Sequence, residues 1–315
     1  MIFPHLPKTA GTSFRTSATS YFGEEKIERD YGSTFKSTTP AVLQHIFRKP
    51  DYWALAREIE RNDIKLLIGH FDARRYSTLF PVTSFVTILR DPIQRFYSEF
   101  NHRSTRDFDR FEGDILDFCR SGRFSNLQTR MLQGTAWPAY AAVGFTERFS
   151  ESLELINRTF GICLEPTVTN TRRQAIDQPY QLSDQAHSCI LAENRKDIFL
   201  YQTAMEYFDE RLKLDDPSLF IRGKLEPIRN GVICGFAIST TDDSAVELDI
   251  LVNDEAVCSV IANQYLKQMH LLGTRRNGHV GFRAQIPNLK STDMVSVRVS
   301  ATGQKLAYTR SPTSQ

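Results

Sequence analysis

Near the start of the chain, "HLPKTAGTSF" (His5–Phe14) places a lysine, one glycine and three hydroxyl side chains within the stretch Lys8–Ser13, directly after a short apolar run. Gly11 permits a tight loop, and Thr12 or Ser13 can cap a helix that follows. A helix N-terminus behind such a loop offers unsatisfied N–H groups and the positive end of the helix dipole, which suits an anion. Lys8 adds a point charge and Thr9 a further hydroxyl. The same residues also make an ordinary turn and cap, and on this stretch alone both readings stand. The phosphate loop of NTPases is excluded, because it needs Gly-x-x-x-x-Gly-Lys-Ser/Thr and here the lysine precedes the glycine.

A second chemically loaded stretch is "ILRDPIQRFYSEF" (Ile88–Phe100). Arg90 closes an apolar run, Pro92 fits the first turn of a helix, and Arg95, Ser98 and Glu99 fall about one turn apart. An arginine at a strand's carboxyl end, with Ser98 farther along the helix, can grip a second phosphate. A local Arg90–Asp91 ion pair is the plainer account. His70, in "LLIGHFD", stands at the end of another apolar run; imidazole titrates near neutrality, which makes it the candidate general base. His5 reads as a structural residue beside the site. Arg74 and Arg75 could line an acceptor groove or face solvent. Asn126, Gln128 and Arg130 alternate with apolar residues in "SNLQTRMLQG" and are candidates for the acceptor cleft. Arg172 and Arg173, in "TNTRRQ", follow "FGICLEP", which reads as a later strand.

The elements that must hold these residues fall into two textures. Over residues 1–216, short apolar runs such as "IKLLIGH" and "SFVTILR" read as buried strands. "FSNLQTRMLQG", "TERFSESLELINRTF" and "KDIFLYQTAMEYFDERLK" carry the three-and-four spacing of amphipathic helices. Strands alternating with helices predict a parallel α/β sheet, and ligands of such sheets bind beyond the carboxyl ends of the strands. After "LDDPSLF" the period changes to two: "AVELDILVND", "HVGFRAQIP" and "MVSVRVSATG" predict a small antiparallel β-sandwich over 220–312.

Together the two loaded stretches resemble the sulfotransferases that use 3′-phosphoadenosine 5′-phosphosulfate (PAPS). "PKTAGTS" looks like that family's 5′-phosphosulfate loop and "RDPIQRFYSEF" like its 3′-phosphate element. The resemblance is nearest to the heparan sulfate and uronyl 2-O-sulfotransferases, and "IGHF", "SNLQTRMLQG" and "GFTERFSESLELI" follow in that group's order. It spans residues 3–212 and implies a P-loop-like α/β fold. It further implies Lys8 beside the bridging oxygen of the donor, with Thr9, Gly11, Thr12 and Ser13 around its 5′-phosphate. Arg90 and Ser98 would then lie around its 3′-phosphate, Arg173 over the nucleotide, and His70 would act as base, with no metal required. Those enzymes often carry a second histidine two positions before the base, where this chain has Ile68, so the choice of acceptor stays open. The C-terminal stretch, with Gly235-Phe236-Ala237 opening a strand and "GHVGF" marking a later one, resembles a β-sandwich module appended to bacterial glycosyltransferases. It implies a bacterial glycan setting and no chemistry of its own.

Composition agrees with a globular chain: 315 residues, 41% apolar, 24% charged, net charge +2. That balance gives no reason to expect nucleic acid as a partner. Arginines outnumber lysines 28 to 11, a bias that suits oxyanions and also follows from codon usage. Five scattered cysteines suggest neither a zinc site nor a disulfide framework; they read as buried free thiols. No apolar stretch is long enough to span a membrane, and a cytoplasmic location is expected. The expectation is therefore a two-domain, PAPS-dependent carbohydrate sulfotransferase with a glycan or saccharide acceptor, its oligomeric state open. The alternatives are a sulfotransferase for a lipid or small metabolite, and an inactive glycan-binding relative.

Overall fold

The computed structural model describes residues 1–105, 110–167, 180–214 and 216–308. Five strands of three or four residues form its parallel part: β1 (Ile2–Pro4), β2 (Ile27–Asp30), β3 (Leu66–Gly69), β4 (Val86–Leu89) and β5 (Ala142–Phe145). β3 pairs in parallel with both β1 and β2, and β4 pairs in parallel with β5. A parallel bridge from Ile2 to Phe85 joins the two ribbons, so the strands lie in the order β2-β3-β1-β4-β5. The Thr87 hydroxyl strengthens that join by donating to the Pro4 carbonyl at 2.9 Å. All four residues of β3, β4 and β5 are buried, as parallel strands covered on both faces must be.

Between the strands run α1 (Gly11–Phe22), α2 (Pro40–Val42), α3 (Tyr52–Arg61), α4 (Pro92–Ser104), α5 (Ile115–Arg120) and α6 (Leu127–Leu132). They are followed by α7 (Phe149–Phe160), α8 (Asp184–Glu193) and α9 (Arg195–Leu212). α2 runs on into a π-helical turn over Leu43–Arg48. The Phe3 and Phe14 rings stack with centroids 4.1 Å apart, and both side chains are fully buried, which fixes α1 against β1. Truncating a phenylalanine packed in this way costs about 3–5 kcal/mol. Residues 160–166, expected as a late strand, form none: Phe160 closes α7, Gly161 follows it in the left-handed region, and the rest runs on without a ladder.

The chain divides into two units, and the division falls inside α9. The first holds Met1–Leu79, Ser84–Gly134 and Ala141–Tyr201; the second holds Phe80–Thr83, Thr135–Tyr140 and Gln202–Gln315. The second carries β6 (Arg222–Leu225), β7 (Val232–Ile238), β8 (Val246–Val252), β9 (Glu255–Ala262) and β10 (Gln264–Tyr265), then α10 (Lys267–Leu271). It ends with β11 (His279–Gln285), β12 (Val295–Val299) and β13 (Ala307–Tyr308). One sheet is ordered β10-β11-β7-β6-β13 and the other β12-β8-β9. Ile233, Ala237 and Phe282 from the first sheet share one apolar cluster with Leu248, Ile250, Val297 and Val299 from the second. All pairings are antiparallel except β13 with β6. The Gly235-Phe236-Ala237 triplet sits in the middle of β7, not at its start.

Among the described residues no helix is long and apolar enough to cross a membrane, and no cluster of three or more His, Cys, Asp or Glu is placed to hold a metal ion. The cysteines are free thiols; Cys119 is buried, whereas Cys163 is exposed, against the expectation of burial throughout.

Candidate functional site at the carboxyl ends of the parallel strands

The loop after β1 is held in an unusual shape. Lys8 and Ala10 both lie in the left-handed region, at φ 69° and 59°. Such conformations cost a residue with a β-carbon about 1–2 kcal/mol. Thr9, between them, is fully buried, and its hydroxyl donates to the Leu6 carbonyl at 2.8 Å. That bond closes the loop, so the Thr9 hydroxyl shapes the cradle instead of facing a ligand as expected. α1 then begins at Gly11, with Ala10 as N-cap, no capping side chain and no acidic residue in its first turn. Other helices of the same unit are capped from within: Asp51 on α3, Asp91 on α4, Asp114 on α5 and Ser183 on α8. The first turn of α1, which carries Thr12 and Ser13, thus retains the polarity that attracts an anion.

Gly11 is required by packing. A β-carbon there would lie 2.0 Å from Cδ2 and 2.1 Å from Nε2 of His5. Gly69 is required as well, since its β-carbon would fall 1.8 Å from the Asp30 carbonyl oxygen. That close approach of β3 to β2 explains the glycine before His70.

His70 is exposed, just past the end of β3. Its Nδ1 lies 2.6 Å from the backbone carbonyl of His5. A carbonyl only accepts, so Nδ1 carries the proton and Nε2 is the basic nitrogen of the neutral ring. The His5 ring packs at 4.4 Å from the His70 ring, and the Tyr31 ring meets His70 edge-on at 4.9 Å. His5 Nδ1 is paired with the Tyr31 hydroxyl at 3.2 Å. Burial, reinforced by the neighbouring charges of His70, Arg15 and Lys8, holds the His5 pKa well below the usual imidazole value. His5 is therefore a neutral prop for His70, as its structural reading expects. Burial likewise pushes the Tyr31 phenol up, against the opposing influence of Arg15. The Arg15 guanidinium lies 5.5 Å from the centre of the Tyr31 ring.

Arg90, past the end of β4, is brought to the same loop: its Nη1 donates to the Lys8 carbonyl at 3.1 Å. Its guanidinium also lies 6.0 Å from the centre of the Tyr180 ring. Ser98 is buried on α4, on a face shared with Arg95 and Glu99. Asp91 caps α4 by accepting from the Gln94 N–H at 2.9 Å, so the local Arg90–Asp91 ion pair is not needed to explain either residue. Glu147 accepts from the Asp91 N–H at 2.9 Å, and burial raises its pKa.

Several acceptor-side candidates have other work. Arg75 donates to the fully buried Asp30 at 2.6 Å, and Tyr76 donates to the same oxygen at 2.8 Å. Burial opposes the Arg75 charge, but Asp30 more than offsets it and the net pKa is raised. Gln128 is fully buried with both ends of its amide on the Arg90 backbone, so it cannot line a cleft. Asn126 is bonded to the α8–α9 junction, and Arg130, though exposed, donates to the Arg123 carbonyl at 2.7 Å. Arg74 is exposed, with its stem against Gly134. Arg172 and Arg173 lie outside the described residues.

Sequence reasoning missed Tyr31 and Arg15. Arg15 falls four residues after Gly11 and so on the same helix face, a signal that was present in the spacing. Tyr31 follows a strand too polar to stand out. No family model matches the chain, and no curated protein matches it.

Proposed function

We propose that the chain transfers a sulfuryl group from PAPS to a hydroxyl of a saccharide or glycan. The carrying observation is the uncapped first turn of α1 behind the Lys8–Gly11 loop, with Arg90 drawn onto that loop from β4. The strand order β2-β3-β1-β4-β5, with both elements at carboxyl ends, supports a P-loop-like reading of the sheet. The charge balance supports the donor: Arg90 reaches the backbone of the Lys8 loop that leads into α1, and no acidic side chain occupies that helix's first turn.

In this reading the acceptor oxygen attacks sulfur in line as His70 Nε2 takes its proton. The bond between sulfur and the bridging oxygen of the 5′-phosphate breaks, and the electron pair leaves on 3′,5′-adenosine bisphosphate. Lys8 neutralises the charge that develops on that leaving oxygen, an electrostatic contribution of the kind that dominates many transfer reactions. Thr12, Ser13 and the backbone at Gly11 hold the 5′-phosphate, and Arg90 with Ser98 holds the 3′-phosphate. The His5 carbonyl keeps the His70 ring in the tautomer the step requires.

Calorimetric titration with 3′,5′-adenosine bisphosphate, and separately with ATP, both without magnesium, tests the reading. Tight binding of the bisphosphate with little binding of ATP is the expected result. Equal binding of the two, or none of either, overturns it.

A further inference from the structure

Gln128 joins two parts of the first unit that are far apart in sequence. Its Oε1 accepts from the Arg90 N–H at 3.0 Å and its Nε2 donates to the Arg90 carbonyl at 2.9 Å. The amide thus mimics a neighbouring strand at Arg90, the first residue after β4 ends. Gln128 is itself held from below. Asp197, fully buried at the start of α9, accepts from the Gln128 N–H at 3.1 Å and from the Thr129 N–H at 2.7 Å. Asn126 returns the arrangement, its Oδ1 accepting from the N–H groups of Lys196 at 2.8 Å and Asp197 at 3.2 Å. Its own N–H donates to Asn194 Oδ1 at 3.0 Å. The first turns of α6 and α9 therefore cap each other through side chains, which satisfies donors that neither helix can satisfy alone. Arg95, buried on α4, adds a bond from Nη2 to the Phe124 carbonyl at 2.8 Å.

We infer that Gln128 is a positioning residue for Arg90, seated by the mutual caps of α6 and α9, and that it aims the Arg90 guanidinium at the phosphate loop. This rests on the sulfuryl-transfer reading and assigns that reading a residue which touches no substrate. A buried side chain whose donor and acceptor both serve one backbone unit has little slack, so the direction of the Arg90 side chain follows the amide. Asp197 and Asn126 act one step farther away, through the seat of Gln128.

The test is a double-mutant cycle of Gln128→Met and Arg90→Ala, read by titration with 3′,5′-adenosine bisphosphate and with adenosine 5′-monophosphate. Methionine keeps the volume and removes both hydrogen bonds. The expected loss in bisphosphate affinity for Gln128→Met is about tenfold, with monophosphate affinity unchanged. On the Arg90→Ala background the same substitution should have no further effect, because interacting residues are non-additive. A loss of the same size on both backgrounds, or an equal loss for both nucleotides, means a general structural role and overturns the inference. Unchanged bisphosphate binding in Gln128→Met overturns it also, while leaving the reading of the site intact. A wild-type protein that does not prefer the bisphosphate removes the reading itself and the inference with it. Hydrogen exchange at the Arg90 amide separates the geometric part: it should accelerate in Gln128→Met without any nucleotide present.

Discussion

Two junctions of the same parallel sheet are built in opposite ways. Where β1 passes into α1, the backbone is strained at Lys8 and Ala10 and the helix begins without a capping side chain. Where β4 passes into α4, Asp91 caps the helix, Pro92 opens it, Glu147 takes the Asp91 N–H and Gln128 takes both backbone groups of Arg90. At the second junction the helix cap and both backbone groups of Arg90 are satisfied by side chains. The first keeps its polarity outward, and the side chain that the second one projects, Arg90, is directed at the first. Under the proposed reading, the difference separates a binding end from a supporting end. The supporting end is not fully satisfied, since Nε and Nη1 of the buried Arg95 on α4 have no hydrogen-bond partner among the described residues, a cost that its Nη2 bond to Phe124 offsets only in part.

The largest effect expected on this contrast is in turnover. His70→Ala should lower the rate of sulfuryl transfer by about 10²–10⁴-fold, the usual range for loss of a general base. Bisphosphate affinity should be preserved. Near-normal turnover in a steady-state assay would exclude His70 as the base.

Giving α1 the cap it lacks should erase the contrast directly. Ala10→Asp places a carboxylate at the α1 N-terminus, in a left-handed position that aspartate accepts better than alanine does. Like-charge repulsion should cost about 100-fold in bisphosphate affinity, with no loss of thermal stability. Retained affinity would place the anion elsewhere.

Gly11→Ala drives a methyl into the His5 ring and should destabilise the fold by about 1–3 kcal/mol in denaturant titrations. Combining it with His5→Ala opens the space and should recover most of that loss. Equal losses with and without His5 would show that the clash is not the cause.

His5 also sets a dependence on pH. Its folded pKa is depressed, so below about pH 6.5 the unfolded chain takes up a proton that the folded chain refuses. Its contribution is complete above that pH and is lost as the pH falls, by no more than about 1.4 kcal/mol per unit. The difference in stability between wild type and His5→Phe, measured from pH 7.5 to 5, should carry that slope. A flat difference would contradict the buried neutral ring.

The smallest effect belongs to the second junction. Asp91→Ala should cost about 1 kcal/mol of stability through the lost cap, with bisphosphate affinity kept. A large loss of affinity would move Asp91 from the supporting end to the binding end.

Much of the scaffold was legible because it depends on near neighbours. "IKLLIGH" and "SFVTILR" became β3 and β4, and "ILRDPIQRFYSEF" placed α4 with its proline in the first turn. The period-two run "AVELDILVND" became β8, followed by an Asn253-Asp254 turn with both residues at positive φ. β2 escaped notice because "IERD" alternates too little to signal burial, and β5, no shorter than β3 or β4, carries Ala142 and Gly144 in place of large apolar side chains. "FGICLEP" read as a strand and is not one, since an apolar run specifies burial without supplying a partner edge.

The sequence by itself determined where Lys8, Gly11, His70 and Arg90 sit relative to strand and helix ends, because loop, cap and period are local properties. Only the tertiary structure decided what the side chains do. Gln128 and Asn126 look like cleft residues from their alternation, yet Gln128 serves Arg90 and Asn126 serves Asp197, far along the chain. Arg75 looks like a partner for an acidic ligand, yet it belongs to Asp30. These pairings depend on which strands become neighbours, and strand order follows from the packing of the whole unit, not from any pattern within one segment.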